Sequence, residues 1–237
     1  MVESKEELKS LSMKVKEEPW GNQGEPMPGF CDFADNPNGK KDGVFYMPGD
    51  CDVAFRPNWF YHAYDDNNQK SVAHLVRIYL RSVGCGAYMN LGMAPDKRGL
   101  IHENDVKRLK EFKAAIDSLY ENKVFGDEVK LENGVGTVEF GGVKKLNFLK
   151  IAEFLSATQG ELVSGYEVDV RRDGQWATVL KGQAVGLKRL RPIPTQDCDA
   201  IRIRITESSA PVAKLKFSGY LAPEHLIGVG SAVHAML

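Results

Sequence analysis

The sequence predicts two classes in succession: α/β to about residue 124, then all-β. Three observations carry this. Apolar residues recur at helical spacing over 72–83 and again over 106–119, with a short apolar run at 87–93 between them, the α/β rhythm of a barrel or a doubly wound sheet. After Val124 the helical period disappears, and Gly126, Gly134, Gly136, Gly141 and Gly142 punctuate the chain. Period-two alternation then takes over: Tyr166, Val168 and Val170 interleave with Glu167, Asp169 and Arg171, and Ile201, Ile203 and Ile205 with Arg202, Arg204 and Thr206.

Residues 1–20 read as a charged lead-in, and residues 21–70, rich in Gly, Pro, Asn and Asp, as long loops on a scaffold. Ser71 caps a helix whose stripe is Val72, Leu75, Val76, Tyr79, Leu80 and Val83; Gly84 and Gly86 end it. Ala87–Met93 reads as a buried parallel strand whose C-terminal end opens into Ala94-Pro95-Asp96. A second helix over 103–121 places Val106, Leu109, Phe112, Ile116 and Leu119 on one face. Two such units are too few to close a barrel, which takes about eight strands and ~250 residues. Strands are expected at 145–149, 166–170, 176–180, 184–190, 200–205 and 212–220, with an Asp173-Gly174 hairpin turn, which together argue a β-sandwich.

Composition narrows the function classes. With 43% hydrophobic and 27% charged residues, the 237-residue chain can build a packed core. A net charge of −1 with no basic block gives no nucleic-acid footprint. The first residues carry charge from Glu3 onward without an apolar stretch, so neither a signal peptide nor a membrane span is expected. The apolar run 226–237 is shorter than the ~20 residues a bilayer requires. Cys31, Cys51, Cys85 and Cys198 form no CxxC pair, which reads as buried thiols rather than a zinc site.

Two stretches could carry chemistry. Arg56-Pro57-Asn58-Trp59-Phe60-Tyr61-His62 could offer an aromatic platform for a sugar, since ring faces stack on C–H faces and polar edges orient hydroxyls. On physical grounds alone a packed loop with its rings in the core is favoured. His102, Glu103 and Asp105 could suggest acid–base work, but Asn104 or Asp105 at a helix start is better read as a cap.

Taken together, Asp52–His62, the helix Lys70–Val83 and the run Pro95–Val106 resemble the closing part of the α-L-fucosidase family of glycoside hydrolases. The nearest branch acts on α-1,3/1,4-linked fucose and carries "VSIRPGWFYH" and "SVGRGANLLLNIPPDRRGLIHE". Gly186–Leu190 and Arg202–Ser208 are similar to its "GYKRL" and "VRLRITES", so the resemblance runs in order through most of residues 20–220.

The resemblance implies a partial (β/α) barrel end over 21–124, a β-sandwich of galactose-binding-like form over 125–222, and a tail at 223–237. It implies a retaining mechanism with two carboxyl groups, one a nucleophile and one an acid–base. The family nucleophile lies in a "WFDG" motif, which this sequence lacks, so no nucleophile is assigned and the chain alone is expected not to hydrolyse fucosides. At the family's "WxGNE" acid–base motif this sequence has Trp20-Gly21-Asn22-Gln23. An amide has no proton to give, so Gln23 is an altered acid–base position and Glu25 its candidate substitute. Asp50 keeps a carboxylate where relatives often have Glu, and Trp59 and His62 are retained as substrate-binding candidates. Cys85 stands where the family usually has Arg, and Gly92 where Asn ends its last barrel strand, positions that can line or brace a barrel mouth.

No metal or organic cofactor is implied. The expected partner is a fucosylated glycan, with no nucleic acid and no membrane. Family members are commonly secreted, periplasmic or lysosomal, which fixes neither compartment nor oligomeric state here. The competing reading is a non-catalytic carbohydrate-binding or interaction protein of the same descent. In that reading Trp176, Arg189 and Arg191 of the sandwich supply stacking and polar groups, against a bracing role for that domain.

Overall fold

The computed structural model describes residues 49–155 and 160–228. It is sheet-rich with few helices. Strands β1 (Asp50–Ala54) and β2 (Tyr88–Gly92) pair in parallel, Asp50 opposite Tyr88 and Ala54 opposite Gly92. Between them lies helix α1 (Val72–Arg81), and after them helix α2 (Glu103–Ser118). Then come β3 (Lys123–Phe125), β4 (Glu128–Lys130), β5 (Val135–Ala152), β6 (Val163–Arg172), β7 (Gln175–Gly182), β8 (Arg189–Ser208) and β9 (Lys214–Tyr220). A four-residue helix, α3 (Glu224–Ile227), follows.

Helix α1 forms for the reasons its sequence predicts. The Ser71 hydroxyl accepts the His74 N–H at 3.2 Å, satisfying an orphan donor of the first turn. Leu75, Val76 and Leu80 are buried, and Val72 and Tyr79 pack beside them. Helix α2 departs from its stripe: Val106 is exposed, and the residue buried within the helix is Asp105. The β2 strand also departs. It is parallel as expected, but Tyr88 and Asn90 are exposed, because β1 is its single partner among the described residues.

The all-β half is one antiparallel sheet in the order β3-β9-β5-β8-β6-β7, with β4 also on β9. The long strands β5 and β8 serve two parts of it. Val135–Glu139 pairs with Ala200–Arg204, whereas Phe148–Ile151 pairs with both the start of β8 and β9, across register breaks at Glu139/Lys144 and Leu146/Phe148. Residues from β3 to β9 share one core, including Phe125, Leu146, Tyr166, Val168, Ile201, Ile203 and Phe217. Alternation along the strands supplies this face.

The strand expected at 184–190 is a turn up to residue 188. Its polar backbone groups are met by side chains instead of a ladder: the Glu153 carboxylate accepts the Gly186 N–H at 2.8 Å, and Arg189 Nε donates to Ala184 O at 2.5 Å. The Asp173-Gly174 turn joins β6 to β7 with positive φ at both residues, 50° and 77°, as a type I′ hairpin requires. A second apolar cluster ties the helices to the sheet through Leu80, Leu119, Phe148, Leu190, Tyr220 and Ile227. Tyr120 meets Phe148 and Tyr220 edge-on at 5.8 and 5.3 Å.

Candidate functional site

Side chains alternate across a strand, so Asp50 and Asp52 of β1 share a face with Tyr88, Asn90 and Gly92 of β2. Asp50, Asp52, Tyr88 and Asn90 are all exposed. On the opposite face Cys51 points toward α1. Burial first, then Asp50 and Asp52, push its thiol up, against a hydrogen bond with Ser82. The loop after β1 extends the ladder, with Phe55 N–H donating to Gly92 O at 2.9 Å. Phe55 is fully buried and anchors the loop.

From that anchor the aromatic segment turns outward. Trp59 is 54% exposed and Phe60 78%. The packed-core reading of these rings is therefore wrong; Phe55 alone supplies the apolar plug. The Trp59 indole lies on the C-terminal end of β2, where a Cβ on Gly92 would sit 2.7 Å from Trp59 Cζ3 and 3.1 Å from Cε3. His62 is half-buried and stacks on Tyr64, centroids 5.0 Å apart and planes 13° apart. Asp50, Asp52, Asn90 and Trp59 thus lie toward one side of the strand pair. Gln23 and Glu25 lie outside the described residues.

A buried ionic network holds the loop in register. Arg56, 3% exposed, donates through Nε to Asp105 Oδ2 at 2.9 Å and Oδ1 at 3.1 Å, and through Nη1 to Asp66 Oδ1 at 2.9 Å. Gln69 Nε2 donates to Asp105 Oδ1 at 2.7 Å, and Tyr61 O–H to Asp66 Oδ2 at 3.2 Å. Burial opposes ionisation of Asp66, but Arg56, His102 and Tyr61 outweigh it and hold the carboxyl below its usual range. Asp105 is therefore an ion-pair partner and not a cap. The cap of α2 is His102, whose Nδ1 accepts the Asn104 N–H at 3.2 Å. Glu103 pairs with Arg98 at 2.8 Å, and Arg98 holds Asp96 at about 2. His102, Glu103 and Asp105 are all engaged in structure.

The sheet offers less to a sugar than its composition suggests. The guanidinium of Arg202 sits 4.3 Å from the Trp176 ring centroid, with that of Arg171 at 5.5 Å. Arg189 is buried and donates to the Ala184 and Cys85 carbonyls, which makes it a brace between the sheet and the turn after α1. Among the described residues, no group of three or more His, Cys, Asp or Glu is placed to hold a metal, and no helix is long and apolar enough to cross a membrane.

No protein-family model matches the chain. Alpha-L-fucosidase 1 of Arabidopsis thaliana is 29% identical over 182 residues, covering 62% of this chain and 35% of that protein. A crystal structure from Bacteroides thetaiotaomicron, named as an alpha-L-fucosidase, superposes with a TM-score of 0.72 at 29% identity. That match covers 78% of this chain and 43% of that one. The chain is similar to α-L-fucosidases over about three quarters of its length. It spans about a third of the Arabidopsis relative and under half of the bacterial one. A Ruminococcus gnavus fucosidase solved in complex with fucose has the same fold, with a TM-score of 0.65 at 19% identity over 79% of this chain and 44% of that one.

Against this fucosidase family two departures now have a physical setting. Gly92 leaves room for Trp59, since any side chain there would meet the indole. Cys85 is buried near Arg189 and Leu190, at the junction with β8 and not beside Trp59; burial pushes its thiol up. Gly92→Asn is expected to displace Trp59, seen as a change in its fluorescence and iodide quenching that disappears in a Trp59→Phe background. The stability cost should be about 1 kcal/mol, the low end for overpacking, because the half-exposed ring can swing outward.

Proposed function

We propose that this chain forms the closing end of a fucosidase (β/α) barrel with a galactose-binding-like sandwich behind it, and that its Trp59 face recognises an α-L-fucosyl group. The observation that carries this is the exposed Trp59 indole seated on Gly92, at the C-terminal end of a parallel strand pair bearing Asp50 and Asp52. The fucose C–H face and methyl group stack on the indole, and His62 orients the loop edge. Asp52, opposite Asn90 and nearer the Gly92 end than Asp50, accepts hydrogen bonds from hydroxyls; Asp50 meets only a sugar unit further along the strand pair. Retaining hydrolysis requires a nucleophile and a proton donor. Gln23 has no proton to give, leaving Glu25 the acid–base candidate, and no residue here matches the family nucleophile. The chain by itself therefore binds and does not turn over.

Titration of the purified chain with L-fucose, followed by saturation-transfer NMR, tests this. Saturable binding in the millimolar range that falls about ten-fold or more in Trp59→Ala is expected, as loss of one stacked ring implies. A chromogenic fucoside should stay intact. Turnover would overturn the inactive reading, and binding indifferent to Trp59 would overturn the site.

A further inference from the structure

A cleft of about 590 Å³ is bounded by α1, the end of β7, the start of β8 and α3. Its size is that of a small-molecule site. Leu80, Leu180, Leu190, Ile193, Leu226 and Ile227 give it an apolar floor. Around them stand His74, Arg77 and Arg81 of α1, Lys181 of β7, Arg191 of β8 and His225 of α3. Among the described residues, no carboxylate lines it.

The cations are not there to satisfy neighbours. Lys181 pairs with Glu167 at 2.9 Å, but Arg77, Arg81 and Arg191 form no ion pair among the described residues. Arg77 and Arg81 are four apart on one helix, a like-charge spacing that costs helix stability. Burial first, then Arg77 and Lys70, hold the His74 imidazole below its usual range. Low-dielectric walls lined by one sign of charge concentrate the opposite sign.

We infer that this cleft is a binding site for a small amphipathic anion, a carboxylate or sulfate carried on an acyl or aromatic body. A neutral sugar has no use for three guanidiniums that find no ion pair among the described residues, and a polyphosphate none for an apolar floor. The anion sits between Arg77, Arg81 and Arg191, where guanidinium forks match two-oxygen head groups, and the body lies on Leu180 and Ile193. The site is separate from the Trp59 face and does not depend on its assignment.

Laurate, dodecan-1-ol and dodecyltrimethylammonium serve as probes, titrated calorimetrically below their micelle concentrations into the full chain. Laurate should bind one to one, and at least about ten-fold more tightly than the alcohol, the factor a charge-assisted contact supplies. Arg77→Gln with Arg81→Gln should weaken laurate about ten-fold or more while leaving the unliganded melting temperature equal or higher. Arg191→Gln, on the facing wall, should weaken it independently and decides the matter if the double variant misfolds. Trp59→Ala should leave laurate binding intact. No laurate binding, equal affinity for the alcohol, tighter binding of the cation, or indifference to both arginine variants would each overturn the inference.

Discussion

Asp105→Asn should lower the stability of the folded chain by about 3–5 kcal/mol, the range for breaking one partner out of a buried ion pair. Asp105 is 1% exposed and takes two hydrogen bonds from Arg56 Nε and one from Gln69. The amide would turn an N–H₂ toward one of those donors. Arg56, itself 3% exposed and with Nη2 already lacking a partner among the described residues, would keep its charge with Asp66 alone. Urea melts followed by circular dichroism measure the loss. Replacing the pair, Arg56→Met with Asp105→Leu, should recover most of it, because a buried pair is often replaceable by apolar residues of similar volume. The double variant should nonetheless bind fucose poorly, since Asp66, Tyr61 and Gln69 lose the groups that align the Trp59 loop. An unchanged midpoint in Asp105→Asn would mean the network does not hold the fold.

How much of this could be read in advance depends on whether the determining contact is local. Ser71 and the Asp173-Gly174 turn act within three residues of themselves, and both do what their residue types dictate. Arg56 and Asp105 are 49 residues apart, so from sequence alone an acid at a helix start reads as a cap. The signal available was an Asp inside an otherwise apolar-striped helix. Strand β1 was hidden because Asp50-Cys51-Asp52 looks like loop; its acids sit on an exposed face, which alternation permits. Strand β8 runs through Pro192 and Pro194, which it tolerates beside a register shift. The family resemblance marks Trp59 as a sugar-facing candidate, but its seat depends on Gly92, a residue 33 positions away whose missing Cβ matters only in three dimensions.

Asp169→Asn carries the second large effect, about 3 kcal/mol, and it also sets a pH dependence. Asp169 sits in β6, 1% exposed, and accepts from Arg202 Nε at 2.7 Å, Arg204 Nε at 2.6 Å and Thr178 Oγ1 at 2.7 Å. The two guanidiniums retain 29% and 31% exposure, which places the cost at the low end of the ~3–5 kcal/mol range for a broken buried pair. Burial pushes the Asp169 carboxyl up, but the bonds from Arg204, Thr178 and Arg202 pull it well below its usual range. A carboxylate with a depressed folded value binds fewer protons folded than unfolded. Its stabilisation is fully present above the unfolded value near ~4 and is lost as pH falls toward the folded one. Glu167 and Asp66 shift the same way, and Asp96 lies at about 2. Wild-type stability should therefore hold from pH 7 to about 4.5 and then fall steeply toward pH 2. In Asp169→Asn the neutral-pH plateau should be lower and the acid limb shallower, the two curves converging at low pH. Chemical melts at half-unit pH intervals distinguish this from a simple loss of packing, which would displace the whole curve downward in parallel.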